Sequence, residues 1–593
     1  MANFGIGTLD RRAFRLKSNN PEDAQEDAQA SMSALSPDDS DAPRRSDAPP
    51  SGFVGDKGGQ DVAEYPAPSG AAPDEPVPGT SDLISVPAPG ATDSGDTIPD
   101  DTDPDNLPEQ RSLPHAEVRR IFIGLMLAIF VAALNQTIIA SPLPTIGRAF
   151  GDFENLSWVV TAYLLTSTAV APLYGKLSEI HGRRAMMLVA LGVFTFGSLV
   201  SALAPNLWVL VIGRALQGVG GGGLLPLAQT IIADIVSPRE RGSYQAYVGL
   251  AWVGAGISGP LLGGILAQHL HWSLVFWVNV PLGLAGYWMA DRTLRHLPMI
   301  ARKHQLDLLG AVLLMAAAVP LLLALSWGGA RYPWMSPTIG GLMVLSLVLS
   351  LVFAWRMTQA REPFLPLPVL ANPVMRMSTL SGSATLGTAI GITIFAPLYF
   401  ETVHGLSASM AGLALVPLVA MSTPGSLLSG WVMSHRQHYK WVPLVGLFIA
   451  IAAFLGLVWK PDTSLWIAVT ALTVANMGIG CVYPVCTVSM QNAVQRHEVG
   501  IATGAANFFR SLGSALIVAV MGAIVLAHLG NAPERGMASA KLNAGAVASA
   551  DHANLVATFG HVFLTAAGFL LLGLIAMALM QERPLRGPPE PTV

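Results

Sequence analysis

Charge is scarce in this chain. Only 12% of its 593 residues are Asp, Glu, Lys or Arg, and the formal net charge is −4. That is too little charge for the surface of an ordinary soluble protein, and the balance offers a polyanion nothing to bind, so nucleic acid is excluded as a partner. Cysteine is almost missing. Cys481 and Cys486 stand five apart in one apolar run, which gives neither a disulfide framework nor a tetrahedral metal site. No metal and no cofactor is therefore expected. Also missing are a phosphate-binding Gly-Lys-Ser/Thr loop, a His-Glu-x-x-His zinc motif, paired Asp residues within an apolar run and a Gly-x-Ser-x-Gly elbow. Their absence speaks against an enzyme and against a nucleotide-driven pump.

What the chain has is apolar sequence. Hydrophobic residues make up 52% and mean hydropathy is +0.49. A bilayer core of about 30 Å takes roughly 20 apolar residues per helical crossing. Residues 1–115 offer none: they are rich in Asp, Pro, Ser, Gly and Ala and read as a disordered cytoplasmic tail. The tail's Arg11-Arg12 faintly resembles a twin-arginine signal, but no apolar core follows, so no cleaved signal is expected.

Beyond the tail, crossings are expected at Ile121–Ala140, Trp158–Leu177, Met186–Ala204, Trp208–Ala233, Tyr244–Leu266 and Trp272–Ala290. Two more fall at Leu308–Leu325 and Thr338–Trp355. A second set of six falls at Met377–Phe400, Met410–Met433, Val442–Trp459, Leu465–Met490, Ala505–His528 and Leu555–Met580. The expected fold is thus an all-α integral membrane protein with 14 transmembrane helices: a six-helix bundle over 116–295, two additional helices over 296–360, a second six-helix bundle over 361–582 and a short cytoplasmic tail over 583–593.

Lys and Arg separate cleanly between alternate loops. One side receives Lys176, Arg183, Arg184, Arg239, Arg241, Arg292, Arg295, Arg302, Lys303, Arg356, Arg361, Arg376, Arg436, Lys440 and Arg496. The other receives little beyond Arg148, Arg331, Lys460, Arg535 and Lys541. Basic residues are retained in the cytoplasm during insertion, so both termini are expected there. Trp158, Trp208, Trp272, Trp355 and Trp459 at helix ends fit an interfacial belt.

The loop after the second crossing reads Gly175-Lys176-Leu177-Ser178-Glu179-Ile180-His181-Gly182-Arg183-Arg184. Its glycines allow a tight turn, and an acid sits among fixed positive charges. The run resembles the signature loop of the major facilitator superfamily, with Glu179 where Asp is commoner and Ile180 where Arg is commoner. The resemblance implies a conformational latch formed by Gly175, Glu179, Gly182, Arg183, Arg184 and Asp234, holding the outward-open state. A basic loop that only sets topology is the alternative.

Arg214 opens a Gly-rich stretch of the fourth crossing, Gly213-Arg214-Ala215-Leu216-Gln217-Gly218-Val219-Gly220. A guanidinium inside an apolar span is functional by default. The stretch resembles the superfamily's arginine motif, associated with proton coupling; stapling helices through backbone carbonyls is the alternative role. The fifth crossing carries Gly259-Pro260 and Gly263-Gly264, which resembles the antiporter motif of exporters and implies efflux, unless it serves packing alone. In the first crossing, Leu134-Asn135-Gln136-Thr137-Ile138 followed by Leu143-Pro144 resembles an element of the fourteen-helix drug:proton antiporter branch. Relatives carry a titratable Asp where this chain has Asn135, and an amide cannot carry a proton at any accessible pH. Asn135 and Arg214 each lie about 9 Å below the outer surface, so they are candidate neighbours.

The resulting candidate cavity is Asn135, Gln136, Thr137, Arg214, Gln217, Glu401 and Asn476, with Tyr163, Gln229, Asn507, Arg510 and His561 as further intramembrane polar residues. The resemblance implies a multi-pass inner-membrane secondary transporter that exports small amphipathic compounds by alternating access, with a proton and a periplasmic adaptor as candidate partners and a monomeric state. An importer, an uncoupled facilitator or exchanger, and a non-transporting sensor are the alternatives.

Overall fold

The structure, a computed structural model, describes residues 115–296, 306–528 and 552–585. The expected amino-terminal tail, apart from its last residue, and residues 586–593 lie outside the described residues. Among the described residues the chain is helical throughout, with one isolated bridge between Gly328 and Tyr332. In chain order the long helices are α1 (His115–Thr137), α2 (Trp158–His181), α3 (Arg183–Ala202), α4 (Leu207–Ile235), α5 (Pro238–His269) and α6 (Leu274–Trp277 followed by Asn279–Thr293). Then come α7 (Leu308–Trp327), α8 (Pro337–Gln359), α9 (Pro373–Thr402), α10 (Ala408–Ala420 and Ser422–His435) and α11 (Trp441–Trp459). Last are α12 (Leu465–Gly480 and Val482–Ala493), α13 (Val499–His528) and α14 (His552–Leu579).

Eleven described helices are long and apolar enough to cross a bilayer. The other three expected crossings coincide with α1, α2 and α6. Of these, α6 is interrupted at Val278, so that neither of its pieces is long enough alone.

Local chemistry sets the helix starts. Pro238, Pro337 and Pro373 stand at first-turn positions, where their missing N–H costs nothing. Asn206, Asp307, Ser336 and Asn372 cap α4, α7, α8 and α9 by accepting from N–H groups of the first turn.

In the first half, α2 and α3 pack on α4, while α1 packs on α5 and α6. In the second, α9 packs on α13 and α14, and α11 on α12 and α14. The halves meet chiefly along two pairs, α2 with α13 and α5 with α10, with lesser contacts of α4 with α13 and α5 with α12. The additional helices α7 and α8 form a hairpin whose α7 touches α2 and α13, and Trp158 of α2 meets Trp327 of α7 edge to face. Of the expected tryptophan belt, Trp208, Trp355 and Trp459 are exposed, but Trp272 is buried between Phe150 and Phe276 and belongs to the core.

Candidate functional site

Arg214 is 1% exposed, and its guanidinium is held by three hydrogen bonds and an aromatic ring. Nε donates to the Val159 carbonyl at 2.8 Å, and Nη1 donates to Asn135 Oδ1 at 2.9 Å and Gln217 Oε1 at 3.0 Å. The ring of Tyr163 lies 4.5 Å from its Cζ. Gln217 in turn donates through Nε2 to Ser198 Oγ at 2.7 Å and to Asn135 Oδ1 at 3.3 Å. One more donor, Asn279 Nδ2, reaches Asn135 Oδ1 at 3.2 Å. Three donors therefore converge on a single amide oxygen, and they come from α4 and α6. An ion in a membrane interior is tolerated where polar groups replace its water. Arg214 achieves this with neutral partners alone.

Asn279 is absent from the sequence-derived candidates. The signal was an amide inside the apolar run Phe276-Trp277-Val278-Asn279-Val280, where an unpaired side chain would be costly. Other candidates fall elsewhere. Gln136 is exposed. Thr137 donates to the Ala255 carbonyl at 2.8 Å, tying α1 to α5. Glu401, near the end of α9, makes no ion pair or hydrogen bond with Arg214 among the described residues, and Asn476 is buried in α12 with no bond to the cluster either.

The Gly259–Gly264 motif packs α5 on α1. A side chain on Gly259 would collide with Thr137, and one on Gly263 with the Ile138 carbonyl. Pro260 offers its carbonyl to Ser141 Oγ at 3.1 Å. Gly264 departs from the expectation: its nearest atom, Ser141 Cβ, is 4.0 Å from where a Cβ would lie, so close packing does not require glycine there.

At the end of the bundle that carries the basic loops, the halves are in contact twice. Gly175 of α2 lies against Gly500 of α13, where a Cβ would come 2.5 Å from the Gly500 carbonyl oxygen. Gly430 of α10 lies as closely against Gly242 of α5, again at 2.5 Å from a carbonyl oxygen. Among the described residues only the first contact has a polar clasp. Glu179 Oε1 accepts from the Ile501 N–H at 2.9 Å, while Arg183 Nε donates to Asp234 Oδ2 at 3.0 Å and its Nη1 to Ser178 Oγ at 2.6 Å. Gly182 turns the chain with φ 87, a backbone conformation glycine takes freely. Arg184 departs from the expected latch: it pairs with Asp291 at the end of α6 and so ties its own half together. Burial against α13 raises the Glu179 carboxyl to about 7, with the Ile501 N–H, Arg183 and Lys176 opposing.

Deeper in, a polar layer also spans the halves. Gln229 of α4 donates to the Tyr483 hydroxyl at 2.6 Å and accepts from Asn507 Nδ2 at 2.9 Å. Gln491 Nε2 reaches the Gln229 carbonyl at 3.5 Å and Thr503 Oγ1 at 3.2 Å. Gln229 and Asn507 were visible in the sequence as polar residues in apolar runs, but their pairing across halves was not.

Comparison with known proteins agrees with this architecture. The family profile described as Major Facilitator Superfamily matches residues 125–518. An uncharacterized MFS-type transporter of Mycobacterium tuberculosis (strain ATCC 25618 / H37Rv) is 33% identical over 491 residues, covering 79% of this chain and 70% of the relative. The multidrug transporter protein MdtP of Bacillus subtilis (strain 168) is 31% identical over 412 residues, covering 69% of this chain and 76% of the relative. Among solved structures, a bacterial homologue of the iron transporter ferroportin, in an outward-facing state, superposes with a TM-score of 0.54 at 10% identity, over 79% of this chain and 99% of that one, and shares the fold. With half-bundles joined at two helix pairs, a signature loop clasped between them and this family match, the chain belongs to the Major Facilitator Superfamily and is a multi-pass membrane transporter.

Proposed function

We propose that the chain exports small, amphipathic organic compounds across a bacterial-type inner membrane by alternating access, as a monomer with both termini in the cytoplasm. The observation that carries this reading is the concentration of inter-half contacts at the end bearing the basic loops, which is the cytoplasmic end by the distribution of Lys and Arg. There Gly175 meets Gly500, Gly430 meets Gly242 and Glu179 caps the start of α13. The described state is therefore closed to the cytoplasm. Glu179, Arg183 and Asp234 form the latch, and its release lets the halves rock so that the cytoplasmic side opens. Similarity to a relative named as a multidrug transporter, together with the Gly259–Gly264 motif, supports export.

The candidate partners are the substrate, a proton and a periplasmic adaptor. Any proton linkage runs through a group other than residue 135, because Asn135 has no proton to exchange. That amide also favours a second reading, an uncoupled facilitator or exchanger. Flux of a fluorescent amphipathic dye in inverted membrane vesicles separates the two. Antiport requires uptake that collapses when an imposed pH gradient is dissipated, whereas unchanged uptake establishes the uncoupled reading. No protein-dependent uptake of any compound in a broad panel would remove the export assignment.

A further inference from the structure

A second buried guanidinium lies in the other half, and the transport cycle outlined above does not use it. Arg510 stands eleven residues beyond Val499 in α13, about 16 Å along the helix and so near the middle of the bilayer. It is 2% exposed. Among the described residues its guanidinium makes no hydrogen bond and no ion pair, and Nε and Nη2 are shut away from solvent with no acceptor. Its neighbours of suitable chemistry among the described residues are the ring of Tyr483, 5.0 Å from Cζ, and the buried thiol of Cys486, which makes no hydrogen bond to it. On the other side lies Gly382 of α9, where a Cβ would come 2.7 Å from Nε. The guanidinium thus fills the place of a missing side chain.

A charge held this way is incomplete. Burial removes its water, an aromatic face returns only part of that loss, and proteins otherwise supply an acid or several carbonyls. Arg214, in this same molecule, donates to three oxygens. Arg510 also has a telling position. Asn507, about one turn nearer the cytoplasmic end, and Tyr483 both bond to Gln229 of the first half. Arg510 therefore lies just above the deepest polar layer joining the halves, on the side away from the closed end. Tyr483 and Asn507 are only half-buried, so this layer borders open space.

We propose that Arg510 and Tyr483 form a binding subsite for the oxyanion of an organic anion, a carboxylate or sulfonate, and that the exported compounds include such anions. The planar guanidinium supplies parallel N–H donors matched to an oxyanion. Tyr483, shared with Gln229, links occupancy of the subsite to the tie between halves. An anion leaving a cytoplasm that is electrically negative moves down the membrane potential, so its export needs no proton carrier, in keeping with the amide at position 135. The proposal rests on the export reading for its direction, but the subsite itself can be tested without transport.

The test is thermal unfolding of the purified full-length protein in detergent, titrated at constant ionic strength with sodium benzoate, sodium benzenesulfonate and neutral benzamide. The two anions are expected to raise Tm saturably and benzamide not to. Arg510→Gln should weaken the apparent affinity for both anions tenfold or more. Arg510→Lys, which keeps the charge and loses the fork, should retain a weaker response, and Gly382→Ala should weaken it by crowding Nε while leaving the protein folded. An Arg510→Gln variant that responds like the wild type, equal shifts from benzamide, or no shift from either anion in the wild type would each overturn the subsite. An anion response in a protein whose vesicles transport nothing would sink the export reading alone; dye export without any anion response would sink only the subsite.

Discussion

Two arginines are buried deep in this bundle, one in each half, and their surroundings are opposite. Arg214 has a carbonyl, two amide oxygens and an aromatic ring around it, while Arg510 has, among the described residues, a ring and no acceptor. The first half presents oxygens to its charge, and among the described residues the second presents none. Sequence position alone does not distinguish them, since both are single basic residues in apolar runs. The difference lies in what neighbouring helices present: Arg214 bonds to α1 and α2, whereas Arg510 is the group we propose meets a transported anion.

The two arginines differ most in what their loss removes. Arg214→Ala removes three buried hydrogen bonds made by a charged group and is expected to cost about 3 kcal/mol or more, read as a large fall in Tm and loss of folded protein from the membrane. Arg510→Ala should leave Tm near the wild-type value in the absence of anions, because no hydrogen bond is lost. Equal destabilisation of the two variants would erase the distinction. Next in size is the packing of the first half. Gly263→Ala forces a methyl into the Ile138 carbonyl and should cost about 1–3 kcal/mol, whereas Gly264→Ala should be near neutral; paired melting curves decide it.

Asn135→Asp sharpens the contrast further. It places a carboxylate where Arg214, Gln217 and Asn279 already aim donors, so a buried ion pair and a titratable group appear together. Vesicle uptake in this variant should become more sensitive to an imposed pH gradient than in the wild type, and identical sensitivity would show that the first-half cluster does not couple to transport.

The smallest expected effect concerns the latch. Glu179 carries a carboxyl raised to about 7 when closed against α13, while a solvated Glu titrates near its ordinary value of about 4.3. The closed state thus binds more protons than the open one between those values. Closure is favoured most at or below the ordinary value and weakens as pH rises through about 7. Glu179→Gln, which still accepts from Ile501, should flatten that response in a fluorescence measurement of gate distance taken from pH 5 to pH 8.

Much of this was legible from the residues. The apolar runs placed the helices, because lipid admits few alternatives to a helix of that length. Asn135 and Arg214 were recognisable as neighbours from depth alone. Three things were not legible. Asn279 joins the cluster because α6 turns it inward, which depends on helix rotation. Arg184 serves Asp291 instead of the latch because two arginines in succession point to different neighbours. The isolation of Arg510 is a fact about surroundings, and a chain read residue by residue does not show which faces of α9 and α12 are left bare.

The central claim, that two helical halves open alternately and are here closed at the basic end, is tested most directly by spin labels at His181 and Arg496, exposed positions at that end of the two halves. Distances between them, measured in lipid with and without transported compound, should fall into a short and a long population whose ratio shifts with compound, the short one enriched by an intact Glu179. A single distance that never changes while the protein transports would contradict the account.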